Sequence, residues 1–367
     1  MKAECIKEKL KEAVFQVGKI SAKNLSLPIL ESILIEAKGS EIVLKATNLD
    51  IGLEVRIPAK VEKPGAVAVP GYLLGGFIQM LEGDNVVRLE AINNNLSVST
   101  KKNSTLIKSY SADEFPNIPR VEEKEESLSI EAFKIVSGIK AVSFSALASD
   151  IKPEISSVYI YVDNGKLYFV STDSSRLAEK KFDIKSESNF SSSIIPIKNA
   201  NELVRIMENI TGDVILDFNK NQMSVSNPQI YFTSRVVGGI FPDYRQIIPK
   251  EKKTEVVVLK QEMVDSIKLS SIFSDKFNQV TFKIIPSDSF FEISSRNQDK
   301  GESVTKIDAT LEGEDIDMSF NSRFFLDCLN SIKEDSISIS FNGHQRPVII
   351  KGIGDESFTY LLMPMIK

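Results

Sequence analysis

Histidines, cysteines and clustered carboxylates are the residue types from which most protein chemistry is built, and this chain of 367 residues holds few of them. His344 is its single histidine. That removes any mechanism needing a histidine pair or a histidine-rich metal site, and a Ser-His-Asp arrangement would have to be assembled around this one residue. His344 follows Asn342-Gly343 and precedes Pro347, a composition that makes turns, so it reads as a surface-loop residue and not a catalytic base. The two cysteines, Cys5 and Cys328, are far apart in segments that read as strand and helix. They lack metal-ligand spacing, and reduced thiols in a cytoplasmic protein are expected. The acidic run Glu312, Glu314, Asp315 and Asp317 lacks the calcium-loop pattern and reads as a solvated loop. Gly75-Gly76 and Gly238-Gly239 are isolated pairs suited to turns or close packing, and no phosphate-cradling or dinucleotide glycine motif is visible. No catalytic residue, metal or cofactor is expected.

Composition sets the frame for whatever remains. Hydrophobic residues make up 42% and charged residues 26%, as in ordinary globular protein, and the length calls for more than one core. Lys2, Glu4, Lys7, Glu8 and Lys9 interrupt the first ten residues, which excludes a signal-peptide core, and no window approaches a membrane span. The net charge of -5 argues against nucleic acid as a partner, since phosphate binding is driven by Lys and Arg. Net charge does not, however, report how charge is distributed.

The elements that position these residues repeat. A strand-like run ending in Pro and leading into an amphipathic helix occurs as Val67-Ala68-Val69-Pro70 before Leu81, and as Ser193-Ile194-Ile195-Pro196 before Met207. A third copy runs from Met318-Ser319-Phe320-Asn321 to Ile332, with Asn in place of Pro. Pro70, Pro196 and Asn321 lie 126 and 125 positions apart. Phe115-Pro116, Phe241-Pro242 and Met363-Pro364 close the copies at nearly the same period. Each copy opens with a helix-period stretch, at 6–20, 130–146 and 259–274. In the first of these, Ile6, Leu10, Val14 and Val17 form one apolar stripe. In the second copy, the alternating runs 158–162 and 166–170 flank Asp163-Asn164-Gly165, a tight-hairpin sequence. The spacing predicts an α+β fold of three similar domains, 1–123, 124–250 and 251–367, each with two helices packed on antiparallel sheet.

Four further segments carry a resemblance: Leu27-Pro28-Ile29-Leu30, Ser171-Thr172-Asp173-Ser174-Ser175-Arg176-Leu177-Ala178, Phe241-Pro242-Asp243-Tyr244-Arg245 and Met363-Pro364-Met365. In order and spacing over the full chain they resemble the bacterial DNA polymerase III beta subunits, the replicative sliding clamps. The resemblance implies a head-to-tail homodimer closed into a six-domain ring that encircles duplex DNA without sequence preference and performs no catalysis. Twelve helices at about 10 Å spacing line a circle about 38 Å across. Removing a helix diameter of about 10 Å leaves about 28 Å, enough for a duplex of about 10 Å radius. Such a ring needs cations only on its lining. The second helices provide Lys198 and Arg205, which match family positions facing DNA, and Arg323 and Lys333; Lys23 is a further candidate phosphate contact. The corresponding helix of copy one, Gly71 to Leu81, carries no Lys or Arg, a departure from the family.

The resemblance also implies a cleft for short linear peptides of the polymerase III alpha subunit, the clamp loader, other polymerases and repair proteins. Its expected lining is Thr172, Ser175, Arg176, Leu177, Pro242, Ile247, Leu362, Met363, Pro364 and Met365. Met and Leu would give an adaptable floor for a Leu or Phe anchor, and Ser and Arg would orient the peptide backbone. Gln246, where a basic residue is common, and the Ile366-Lys367 ending depart from relatives. Ring closure is expected where Leu106 and Ile107 of one subunit meet Ile272 and Phe273 of its partner. A metal-dependent nuclease built on the acidic residues and a scaffold that binds proteins alone are the competing readings. The lone histidine weighs against the first, and basic residues on repeated helices against the second.

Overall fold

The computed structural model describes residues 1–21, 27–121, 126–149, 151–184, 192–249, 251–343 and 345–365. Six α-helices lie among them: α1 (Lys7–Gly18), α2 (Gly71–Gln79), α3 (Ala132–Val142), α4 (Ile197–Met207), α5 (Lys260–Ser271) and α6 (Ser322–Ser331). Leu10, Val14 and Val17 bury one face of α1 as their spacing predicts. Ile6 does not join that stripe: it ends the preceding strand and is exposed. None of these helices is long and apolar enough to cross a membrane.

The threefold repeat has a structural counterpart at each strand-to-helix junction. Pro70 ends a strand and caps α2, Pro196 ends a strand before α4, and Asn321 ends a strand and caps α6. Two residues before each anchor, a carbonyl receives an amide from the closing segment of its own copy. Tyr110 N donates to Ala68 O, Val237 N to Ile194 O and Met365 N to Ser319 O, each at 2.8 Å. The same closure made three times at the same offset is a physical signature of one fold repeated.

The chain forms two compact units, one of Met1–Phe133 with Arg205–Val236 and one of Lys134–Val204 with Val237–Lys367. The first contains a twelve-stranded antiparallel sheet. Its main path runs Ser104–Lys108, Asn95–Ser99, Val86–Ile92, Lys2–Ile6, Ile51–Lys63, Ile230–Arg235, Gln222–Ser226, Asp213–Phe218 and Glu126–Glu131. Ser32–Lys38, Glu41–Thr47 and Gly65–Pro70 branch from it. The central pairing joins the first and second copies, with Val55 opposite Ile230 and Leu53 opposite Phe232. The connecting segment is pinned there as well: Tyr231 Oη donates to Pro119 O at 3.1 Å, and Arg120 stacks 3.8 Å from the Tyr231 ring centroid. Arg120 also pairs with the buried Glu54, as does Arg56 at 3.2 Å. Gly52 is required beneath this segment, because a Cβ there would lie 2.5 Å from Ile118.

The second unit holds a nine-stranded sheet in the order Ser193–Pro196, Ser157–Asp163, Lys166–Thr172, Arg176–Asp183, Phe358–Leu362, Val348–Gly352, Ser336–Phe341, Thr254–Leu259 and Ala309–Gly313. The middle pairing, Leu177 opposite Leu361, joins the second and third copies. Asp163 pairs with Lys166, so Asn164 (φ 49°) and Gly165 (φ 70°) form the two-residue turn that their types require. A four-stranded sheet, Gly301–Lys306, Phe290–Asn297, Gln279–Ile285 and Ile316–Asn321, completes the unit. Continuous sheet across the copy boundaries is why two units, and not three, emerge as compact bodies.

Candidate functional site

A cavity of about 580 Å³ lies within the second unit, where the second and third copies share sheet. One wall is the turn before the strand Arg176–Asp183. Asp173 Oδ1 accepts from Ser175 N and Arg176 N at 2.9 and 3.0 Å, and Thr172 Oγ1 donates to Arg176 O at 2.6 Å. These bonds hold Ser174 in a left-handed conformation (φ 77°) and stiffen the turn. Met363 N donates to Ser175 O at 2.9 Å, so the end of the last strand is tied to the same wall.

Arg176 lines the cavity, yet its donors are largely committed elsewhere. Nε donates to Asp173 Oδ2 at 2.8 Å, Nη1 to Asp327 Oδ2 at 2.7 Å, and the guanidinium lies 4.1 Å from the Phe324 ring centroid. Burial alone would lower its pKa, but Asp327 and Asp173 hold it above the ordinary value. It clamps the turn against α6 more than it reaches for a ligand.

The opposite wall is the Phe241-Pro242-Asp243-Tyr244 segment, leading into the 3-10 turn Tyr244–Ile247. Phe241 and Tyr244 are buried in a cluster with Tyr161, Val170, Leu177, Ile194 and Leu361. Phe241 stacks on Tyr159 at 4.7 Å. Tyr244 Oη lies 2.6 Å from Tyr161 Oη and donates to the buried Glu179 carboxylate. Arg245 Nη2 donates to Tyr161 Oη at 2.9 Å and to Asp163 Oδ2 at 2.8 Å. Burial pushes the Tyr161 phenol up to about 12, so it stays protonated and the chain of hydroxyls persists. This network fixes the backbone that presents Pro242 and Ile247, while Leu177, Leu361 and the Tyr244 ring supply apolar cavity surface.

Of the residues expected at the cleft, Thr172, Ser175, Arg176, Leu177, Pro242, Ile247 and Met363 line the cavity. Ile247 and Met363 are 52% and 42% exposed, available to a ligand. Leu362 is fully buried, and Pro364 and Met365 stand off the wall. Sequence reasoning missed Tyr244, Ile248, Pro249 and Leu361, and above all the loop carrying Asn342, Gln345, Arg346 and Pro347. The turn composition around His344 was visible, but nothing local tied that loop to residues 172–177. His344 itself lies outside the described residues.

Lys198 and Arg205 sit two turns apart on α4, which puts them on one face. Lys198 is exposed and Arg205 half-buried, with burial drawing its pKa below the ordinary guanidinium value. Arg323 is exposed in the first turn of α6. Lys333 is exposed too but follows the helix, which ends at Ser331. Lys23 lies outside the described residues. Aligning the copies reveals a missed pair: Lys140 and Lys268 are each the ninth residue of α3 and α5, and both are exposed. Their counterpart in α1 is the exposed Phe15, so copy one departs from the others in both its helices.

Among the described residues, the strand Ser104–Lys108 ends its sheet, pairing only with Asn95–Ser99. Leu106 points outward at 55% exposure and Ile107 inward at 5%. The strand Gly301–Lys306 likewise ends the four-stranded sheet, and Ile272 at the end of α5 is 61% exposed, with Phe273 half-buried beside it.

Comparison with known proteins accounts for nearly the whole chain. Models of the N-terminal, central and C-terminal domains of the DNA polymerase III beta subunit match residues 1–119, 129–243 and 245–366. A beta sliding clamp of Staphylococcus aureus is 28% identical over 351 residues, 93% of this chain and 92% of its own length. The crystal structure of the Bacillus subtilis polymerase sliding clamp superimposes with a TM-score of 0.94 at 27% identity, covering 100% of this chain and 99% of that one. A sliding clamp of Pseudomonas aeruginosa bound to griselimycin shares the fold, with a TM-score of 0.96 at 22% identity over 100% of both chains. Matched by all three domain models, with the same strand-to-helix closure repeated in each copy, the chain belongs to the DNA polymerase III beta subunit family, the non-catalytic sliding clamps of DNA replication.

Proposed function

We propose that this processivity factor works in the cytoplasm as a head-to-tail ring of two copies, each of three domains bounded at 1–123, 124–250 and 251–367. The ring encircles duplex DNA and holds the polymerase III alpha subunit, the clamp loader, other polymerases and repair proteins through short peptides. The observation that carries the peptide reading is the cavity of about 580 Å³, floored by Leu177, Leu361 and Met363 and walled by two stiffened turns. A preformed apolar pocket with few polar groups suits a Leu or Phe anchor, because little ordering is required on binding. DNA faces Lys198, Arg205, Arg323 and Lys333, with Lys23, and by the helix correspondence Lys140 and Lys268. Phe15 and the uncharged α2 make copy one the weakest part of the lining. Ring closure uses the outward side of Ser104–Lys108 against the Gly301–Lys306 edge and the α5 end of the next copy.

Topological linkage distinguishes encirclement from ordinary phosphate contact. Protein loaded by its cognate loader onto nicked circular DNA is expected to stay bound through a wash in moderately high salt and to be lost when the circle is linearised. Equal loss from circle and linear DNA as salt rises would instead mean counterion-driven surface binding and would overturn the ring.

A further inference from the structure

We propose that Arg346 selects partner peptides that place a carboxylate beside the apolar anchor, so that the cavity reads charge as well as shape. The inference rests on the reading of the cavity as a peptide site and names the chemistry of its occupant. Among the described residues, three charged side chains line the cavity: Arg176, Asp243 and Arg346. Arg176 is held by Asp173 and Asp327, at 2.8 and 2.7 Å. Asp243 Oδ2 accepts from Gln246 Nε2 at 2.6 Å, so that carboxylate already has a donor. Arg346 is exposed and forms no ion pair among the described residues. Among the described residues it is the cation of the cavity left available to a ligand.

Its seat is also defined. Arg346 lies in the short loop between Ser336–Phe341 and Val348–Gly352, where Gly343 (φ 97°) and Gln345 (φ 61°) take left-handed conformations, and Pro347 fixes the exit. A guanidinium presents a planar fork that fits a carboxylate with two parallel hydrogen bonds. An anchor filling the apolar floor would displace water from around that fork and strengthen the pair. The carboxylate could come from an Asp or Glu side chain or from the peptide's own C-terminus; both offer the same fork of oxygens.

Fluorescence anisotropy with four labelled hexapeptides separates the cases. All share a Leu-Phe anchor; they carry Asp or Asn before it, and end in a carboxylate or an amide. At least one carboxylate form is expected to bind about two- to fivefold tighter than the Asn-amide peptide, the range of a solvent-accessible ion pair. The gain shrinks at high salt. A gain from Asp alone assigns a side chain, and one from the free terminus alone assigns the C-terminus. Arg346→Gln should erase the gain, so that it binds the carboxylate and Asn-amide peptides alike, and Arg346→Glu should reverse the preference. A gain that survives in Arg346→Gln, or no gain from either carboxylate, overturns the inference while the cavity reading stands. Failure of the Asn-amide peptide to bind, or binding untouched by Ile247→Asp, would overturn the cavity reading and this inference together.

Discussion

Tyr244 connects the sequence motif to the shape of the site. Its ring faces the cavity while its hydroxyl, deep in the cluster, donates to Glu179 and meets Tyr161 at 2.6 Å. Tyr244→Phe keeps the ring and removes the donor, leaving a buried carboxylate short of a partner. The expected loss is roughly 1–3 kcal/mol in urea denaturation; an unchanged midpoint would show that the hydroxyl chain contributes nothing. Titration offers a second check. Burial raises the Cys5 thiol from 9.0 to about 12 and Tyr161 from 10.0 to about 12. The folded state therefore holds these protons more tightly than the unfolded chain. The stability they contribute is complete below about pH 9 and is lost as pH rises toward 12, so the urea midpoint should fall across that window. In the native protein at pH 8, Cys5 and Cys328 should both resist iodoacetamide and react only on unfolding; rapid native labelling of either would contradict their burial. Pro242 and Ile247, on either side of Tyr244, were legible through the resemblance that the Phe241-Pro242-Asp243-Tyr244-Arg245 segment carries. Arg346 was not: the strand after it, Val348–Gly352, pairs with Phe358–Leu362, which pairs in turn with Arg176–Asp183, and such long-range pairing leaves no local mark.

At the scale of elements, the strand-to-helix junction was readable and the sheet was not. Pro70, Pro196 and Asn321 punctuate the chain because a residue that ends a strand and starts a helix must have extended backbone and leave the first helical amides uncovered. Asn321 solves this with its side chain, accepting from Arg323 N at 3.0 Å and Phe324 N at 3.4 Å. Asn321→Ala should cost about 1 kcal/mol in thermal or chemical denaturation. No comparable effect is expected at Pro70, which makes no side-chain cap. Equal losses at both positions would mean that the anchors act through the strand and not the cap. The helix starts, the Asn164-Gly165 hairpin and the alternation of the strands all follow from local rules. The merging of the copies' sheets, with Val55 opposite Ile230 and Leu177 opposite Leu361, follows from none of them. Both members of each pair are simply apolar residues on strands, and their register is set by packing of the folded chain.

At the scale of the whole molecule, an acidic chain that acts on DNA is consistent if the duplex is retained by enclosure, since few cations are then needed and their job is to keep it centred. Self-association becomes the property on which function depends. The terminal strand Ser104–Lys108 offers a direct test because adjacent residues face opposite ways. Leu106 is 55% exposed and Ile107 is 5% exposed. An unpaired edge with an outward leucine invites another strand. A charge at Leu106 should therefore break assembly without harming the fold, whereas a charge at Ile107 is buried without a partner and should unfold it. Sedimentation velocity on Leu106→Asp is expected to show a monomer whose circular dichroism matches the wild-type dimer, and retention on nicked circles should vanish with the dimer. Ile107→Asp should lose folded signal before any question of assembly arises. A Leu106→Asp protein that still sediments as a dimer would move the closing contact away from this strand edge, to surfaces such as the exposed face of α2 around Tyr72 and Met80.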